Sequence, residues 1–527
     1  MGARPCRVLC DRARSFDFCF LAGAPFLARL LRKKWVLLLL ILRDQLLTTT
    51  DNSTPRTIEG QQTHGVELRR ELGVADLALA QILIVIVPEF YGTAVKAGPS
   101  HVVLWLLAII LFFIPFGLLV AHLSRLMPLE GGPYEWARLA FSDRFGFLVA
   151  WNIWLLTTVQ VSQIALITTT YISYAFGPRV EWISSNSAVL IAASVALIAA
   201  MMVVARIGLS VGKWVSNTGS VITILTLCVL IVLPFVHVWR GTLPAYRPLA
   251  LVRPSITLFS LSVFSKMTFG ALSGFEYAAI FAGESRNPGK SIARSVLLTA
   301  PVIALLYIFG TSAILAFISP DAIDVIGPVP QALTRGLALL GVTGSGVGSF
   351  TTIVILLLLM NYLCCYTLYF SANSRLPLVA GWDHLLPRWF TPLHPKYRTP
   401  VNSILFMGGV SLSAGVAVLI GVSSQESFAL LQTWAWTFYG LAYLGLFAIP
   451  LFSPKEKGLR PGKLLQLGSV SGFLVTLLFV VLSVVPIVAV ASAWKYSLKI
   501  VLVVLGANLF GWMIYAAGQR KATRASI

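Results

Sequence analysis

Charge is what this 527-residue chain has least of: 11% of its residues are Asp, Glu, Lys or Arg, while 57% are hydrophobic. An ordinary soluble protein carries about 25% charged and about 45–50% apolar residues. A water-soluble fold is therefore excluded, and with a mean hydropathy of +0.84 a polytopic helical membrane protein is left. Acids are scarcer than bases, 20 against 40, for a formal charge of +20. The bases are parcelled into short loops between apolar runs rather than gathered in one block, which fits cytoplasmic loops and argues against a nucleic-acid partner. The six cysteines, Cys6, Cys10, Cys19, Cys228, Cys364 and Cys365, lie in the amino-terminal tail or inside apolar runs, without CxxC spacing. Neither a disulfide framework nor a zinc site fits that placement, and no cofactor is expected. A G-x-x-x-x-G-K-[ST] loop is also missing, so an ion gradient rather than nucleotide hydrolysis should supply energy,.

What is abundant is membrane-length apolar sequence. Stretches of about 20 residues cross roughly 30 Å of hydrocarbon, and twelve occur: 75–97, 101–126, 146–176, 186–206, 215–238, 256–282, 292–318, 347–372, 401–422, 427–452, 465–490 and 495–518. The third carries no charge from Phe145 to Pro178 and is longer than a perpendicular crossing needs, so it should tilt or protrude,. With a cytoplasmic amino terminus, nineteen Lys and Arg fall on inner loops and the carboxyl tail, against eight on the outer side. That bias, and the even number of spans, puts both termini inside. The loop after the fifth span runs against it, with Arg240, Arg247 and Arg253 outside.

The first 71 residues read as a basic, disordered or surface-lying cytoplasmic tail. RLLRKKWVLLLLILRDQLL looks like a signal or anchor, yet its uncharged run from Trp35 to Leu42 is too short for a span and no small-residue cleavage site follows,. A start site placed too far upstream would also explain the segment. Residues 72–518 form the membrane domain, and 519–527 a short basic cytoplasmic tail.

Two of the spans are interrupted. LALAQILIVIVPEFYGTAVKAG has Pro88 and Glu89 at its centre, and FSLSVFSKMTFGALSGFEYAAIFAG holds Lys266, Gly270, Gly274 and Glu276. Hydrocarbon tolerates freed backbone groups only where they line protein or a water-filled cavity, and such a pair of breaks points to a transporter's binding site. Each intramembrane charge costs about 2.5–3.5 kcal/mol on insertion scales and calls for a function or a partner. Glu89 directly follows a proline without an N–H, so it faces a cavity or, on the plainer reading, snorkels beside a proline kink. Between Gly270 and Gly274 a helix can end and restart, leaving N–H groups for an anion. Glu276 then reads equally as a functional carboxylate or as a cap on the positive helix end. Lys266 pairs with Glu89 or Glu276, or exchanges protons if burial lowers its pKa. Gln160, Gln163, Asn361, Tyr362 and Gln432 either line a path or bond neighbouring helices,. Trp434, Trp436 and Tyr439 gate a cavity or anchor at an interface,.

FGALSGFEYAAIFAGESRNPGKSIARSV resembles the sixth helix and following loop of the amino acid-polyamine-organocation (APC) permease superfamily, whose members carry G-F-E or G-F-D and then E-x-x-N-P-x-x-x-I. LEGGPYEWARLAF resembles that family's loop after helix two, and SRLPLVAGWDHLLPRWFTPLHPKYRTPVNSI its loop between helices eight and nine. The resemblance covers roughly residues 70 to 520. It implies two five-helix inverted repeats of LeuT-like fold plus two extra helices, twelve in all, with substrate between discontinuous helices one and six. By position the binding segments are Val87, Pro88, Glu89, Phe90, Tyr91 and Gly92, and Phe269, Gly270, Ala271, Leu272, Ser273 and Gly274. Glu276 takes the acidic position of the G-F-E element, linked to pH response or gating in some members. Lys266 joins it as a coupling or gating candidate.

Two departures matter. The family's glycine-rich turn in helix one is IVPEFYG here, and an acid beside the site favours a cationic amino acid or a polyamine. The fifth helix has Asn217 and Thr218 where some proton-coupled members keep a lysine. The expected activity is secondary active transport of amino acids or related amines, with protons as coupling ion, at the plasma or inner cell membrane. The partners are a small-molecule substrate, protons and membrane lipid; the sequence does not speak to oligomeric state. A non-transporting nutrient sensor on the same fold is the alternative. A membrane-embedded enzyme ranks last, because His101 and His237 sit near span ends without Asp or Ser partners,.

Overall fold

The computed structural model describes residues 72–129, 131–207, 209–282, 285–340, 345–378, 386, 388–419, 424–454, 461–486 and 492–525. The amino-terminal tail expected over residues 1–71 lies outside them.

The described residues are helical, apart from loops and one isolated parallel bridge between Leu72 and Ser285. In chain order the main helices are α1 (Val74–Val85), α2 (Glu89–Val95), α3 (Gly98–Leu126), α4 (Pro133–Ala140), α5 (Asp143–Phe176), α6 (Ser187–Ile207), α7 (Leu209–Trp239) and α8 (Leu258–Leu272). They continue with α9 (Tyr277–Ile280), α10 (Pro288–Leu315), α11 (Pro328–Leu339), α12 (Ser345–Asn373), α13 (Val401–Leu419), α14 (Ser424–Phe452), α15 (Lys463–Leu482) and α16 (Ala493–Ala525). Ten helical stretches are long and apolar enough to cross a membrane, and the α1–α2 pair, bent by 53°, makes eleven. The span expected over 401–422 is occupied by α13, whose apolar part Val401–Val416 is shorter.

Helices dominate because a span in hydrocarbon must satisfy its own backbone. The same need consumes many of the polar side chains: Thr158 Oγ1 donates to Trp154 O at 2.8 Å, Ser162 to Thr158 O at 2.8 Å and Thr169 to Ala165 O at 2.9 Å. Where a proline removes a donor, another helix supplies it. Pro115 leaves Leu111 O without its partner four residues on, a π-helical turn forms at Ile109–Phe113, and Ser471 Oγ of α15 donates to Leu111 O at 2.7 Å.

Burial orders the bundle. Of the spanning stretch of α8–α9, 78% is buried, against 17% for α16. The broken helices are therefore central, and α16 shows Leu502, Leu505, Leu509 and Phe510 on the outside. Around the centre, α10 packs on α1, α2 and α3, while α12 packs along α7 and α5.

Candidate functional site

The first break spans Ile86 to Pro88, and three carbonyls before it are satisfied by side chains from distant helices. Pro88 offers no N–H to Ile84 O, so the Tyr369 hydroxyl of α12 donates to that carbonyl at 2.9 Å. Cys365 Sγ donates to Leu83 O at 3.3 Å. Tyr307 of α10 bridges the gap, its hydroxyl donating to Val85 O at 2.8 Å and accepting from Val87 N–H at 2.9 Å. The chain then re-enters helix at Glu89.

The second break falls later than the glycine spacing suggests. The helix does not end near Gly270; α8 runs on to Leu272, Ser273 is extended, Gly274 has φ +121°, and α9 starts at Tyr277. Gly270 is instead a contact residue. A Cβ there would lie 1.9 Å from Phe90 Cε1, so only glycine lets the ring of α2 lie against α8. This contact joins the two breaks.

The two glutamates at the restarts have unlike surroundings. Glu276 is fully buried, accepting from the Tyr443 hydroxyl at Oε2 (2.6 Å) and from the Tyr439 hydroxyl at Oε1. Tyr443 in turn accepts from Gly274 N–H at 2.8 Å, so α14 braces the break through one hydroxyl. Glu89 is 4% exposed, and neither carboxylate oxygen has a hydrogen-bond partner among the described residues. The Tyr362 hydroxyl stands beside it but, like that of Tyr171, has no partner in hydrogen-bond geometry.

Lys266 pairs with neither glutamate. Its Nζ donates to Val485 O at 2.6 Å, because its place on α8 aims it at the chain following α15 rather than across the breaks. Asn217, standing where some relatives of the resembled family keep a lysine, donates from Nδ2 to Asp76 Oδ1 at 3.0 Å and ties α7 to the start of α1.

A small cavity lies against the first break. Ile86, Val87 and Pro88 form one wall, and Gln160 of α5 with Asn361 and Tyr362 of α12 form another. Cys365, Tyr366 and Tyr369 complete it. Of the expected binding residues, Val87 and Pro88 line this cavity, Glu89 lies beside it, and Phe90, Tyr91 and Gly92 turn into the packing of α2. None of Phe269, Gly270, Ala271, Leu272, Ser273 and Gly274 lines it. Phe269 stacks on Phe479 at 4.4 Å and meets Tyr439 and Tyr443 edge-on. Trp436 meets Phe90 edge-on at 4.9 Å, within the core rather than at an interface. Tyr307, Tyr366, Tyr369 and Tyr443 were not among the expected residues. Their only sequence signal is a polar hydroxyl on an otherwise apolar helix.

The loop motifs make contacts of their own. Arg286 N–H donates to Leu72 O at 3.1 Å, fastening the segment after α9 to the entry of α1. Within α4, Trp136 Nε1 reaches back to donate to Met127 O at 3.0 Å, and Arg138 pairs with Glu135 at 2.8 Å.

Comparison with known proteins agrees with this architecture. The family model described as "Amino acid permease" matches residues 74–508. An uncharacterized transporter of Legionella pneumophila is 25% identical over 72% of this chain and 80% of its own length. A probable agmatine/putrescine antiporter of Lactococcus lactis is 23% identical over 69% of this chain and 74% of its own. An aspartate/glutamate permease of Lactococcus lactis subsp. cremoris is 25% identical over 81% of this chain and 92% of its own.

Proposed function

The chain belongs to the amino acid permease family, and from that premise we propose that it carries amino acids or related amines across the plasma or inner cell membrane by proton-coupled alternating access. It is a multi-pass membrane transporter of a small molecule, not an enzyme. The observation that carries the reading is the meeting of two interrupted central helices, Phe90 against Gly270, with a buried Glu89 that lacks a hydrogen-bond partner at the restart of the first. Discontinuous helices of this kind hold substrate near the midplane in transporters built of inverted repeats. The breaks fall in the first and sixth expected spans and each has a glutamate at its restart, which supports two five-helix repeats followed by two further helices. In this reading α13 completes twelve spans, residues 72–518 form the permease domain between basic tails 1–71 and 519–527, and both termini are cytoplasmic. Val87 to Gly92 and Phe269 to Gly274 are the substrate-binding segments in this reading, with Val87 and Pro88 lining the cavity. Lys266 and Glu276 are the coupling or gating groups.

Purified protein in proteoliposomes is expected to accumulate labelled amino acid or amine under an imposed proton gradient, lumen alkaline for symport and acidic for antiport, and a protonophore should abolish accumulation. Gradient-independent equilibration for every amino acid and amine tried would remove the coupling. Glu276→Gln should flatten the dependence of uptake on pH across about 5 to 8, the range in which a perturbed carboxyl titrates, while membrane insertion and size-exclusion profile stay normal. An unaltered pH profile would leave Glu276 as a brace for Gly274 and nothing more.

Glu89 favours a cationic cargo within that reading, a basic amino acid or a polyamine. A buried carboxylate without a partner is costly, and a cationic substrate offsets that cost only while bound. The relatives' names span both signs of charge, agmatine and putrescine for one and aspartate and glutamate for another. Glu89→Gln should weaken uptake of cationic substrates more than that of neutral ones; equal losses for both would remove the preference.

A further inference from the structure

We infer that the preferred cargo is an amine without a carboxylate, and that Glu89 seats its ammonium. This rests on the transport reading and sharpens it, because a basic amino acid and its decarboxylated amine differ by one group. An α-amino acid must place its carboxylate against a cation or against free N–H donors, and the two breaks are where backbone donors come free. At the first, Val87 N–H is given to Tyr307, Pro88 has none, and the N–H groups of Phe90 and Tyr91 return to Val87 O and Pro88 O. That leaves the N–H of Glu89, on the residue that itself carries the carboxylate.

The second break is filled in much the same way, the N–H groups of Phe275 and Glu276 apart. Gly274 N–H is given to Tyr443, while the N–H groups of Tyr277 and Ala278 return to Gly274 O and Phe275 O. The Glu276 carboxylate, held by Tyr439 and Tyr443, already sits where an anion would lie. No lysine or arginine lines the cavity beside the first break, and Lys266 Nζ is spent on Val485 O.

What remains open there is mainly acceptor. Both Glu89 oxygens and Gln160 Oε1 are buried without partners, and the rings of Tyr362, Tyr366 and Tyr369 wall the cavity. An ammonium gains from each of these, from the carboxylate by charge and from the ring faces by cation–π attraction. The hydroxyls of Tyr171 and Tyr362 also lack partners, but they are neighbours of Glu89, and a second carboxylate brought to them would meet like charge at close range.

Lysine and cadaverine test this, being the same chain with and without the carboxylate. In proteoliposomes of the full chain, unlabelled cadaverine should compete for labelled cadaverine uptake at least tenfold better than lysine does. Cadaverine, and not lysine, should raise the thermal midpoint of the purified protein. Glu89→Gln should lose the cadaverine shift, and Glu89→Asp should keep part of it. Lysine competing as well as cadaverine, or uptake of neutral amino acids with none of cadaverine, overturns the inference and leaves the transport reading standing. No accumulation of any amino acid or amine overturns both.

Discussion

Gly270→Ala is expected to lower the thermal midpoint of the purified protein by several degrees and to cut uptake at least tenfold, although it adds a single methyl group. The added Cβ would stand 1.9 Å from Phe90 Cε1 and 2.0 Å from Phe90 Cζ, far inside contact distance. Phe90 cannot step aside freely: it is 6% exposed and its ring meets Trp436 edge-on at 4.9 Å. Overpacking a full core costs about 1–3 kcal/mol and occasionally more, and here the displaced element is α2, the second half of a broken span. The effect should therefore reach transport as well as stability. Phe90→Ala in the Gly270→Ala background should recover much of the midpoint, since it removes the other party to the clash, and the coupling of the two changes is read from the double-mutant cycle. A Gly270→Ala protein with unchanged midpoint and uptake would show that the two broken helices do not rely on this contact.

The position of that contact explains how far the sequence could lead. Apolar length places the spans, because hydrocarbon thickness sets a minimum number of residues, and ten of the expected twelve appear as long apolar helices, an eleventh as the bent α1–α2 pair. Pro88 also marks the first break directly, since a residue without an N–H leaves Ile84 O without a helical partner. Glycine is ambiguous by comparison. Gly270 reads as a helix breaker, yet it lies inside α8 and serves a ring from α2, while Gly274 with its positive φ makes the turn. Nothing in the local sequence separates those uses.

The long-range polar contacts were less legible still. Lys266 and the two glutamates share a low-dielectric region, which suggests pairing, but helix rotation decides where a side chain points, and Lys266 finds a carbonyl in the chain after α15. The glutamates themselves look alike in sequence, each following a break. Their difference lies in the helix that faces each: Tyr439 and Tyr443 of α14, four residues apart, donate to Glu276, whereas the Tyr362 hydroxyl of α12 stands beside Glu89 without hydrogen-bond geometry. One carboxylate is thus held by hydrogen bonds within the fold, and the other has none among the described residues.

Tyr307→Phe should be the second severe substitution, and it isolates one hydroxyl. The tyrosine ring stacks on Trp105 at 4.8 Å and meets Tyr91 at 4.9 Å, and phenylalanine keeps both contacts. What is lost is the bridge between Val85 O and Val87 N–H. A buried polar group left without a partner costs about 1–3 kcal/mol, so two such groups set an upper figure of about 6 kcal/mol. Hydrogen bonds between membrane helices average only about 0.6 kcal/mol in one measured case, because the broken groups find other partners. Here the alternatives are few. Leu83 O, the helical partner Val87 N–H would otherwise take, is engaged by Cys365, and Pro88 prevents the helix from closing over the gap,. A loss of about 2–3 kcal/mol is expected, seen as a lower thermal midpoint, with uptake falling further than stability because α1 and α2 lose the bridge that fixes their 53° bend. A midpoint within a degree of the parent, with normal uptake, would mean that the bend is held by the packing of Tyr91 and Phe90 alone and that the freed backbone groups are paired elsewhere.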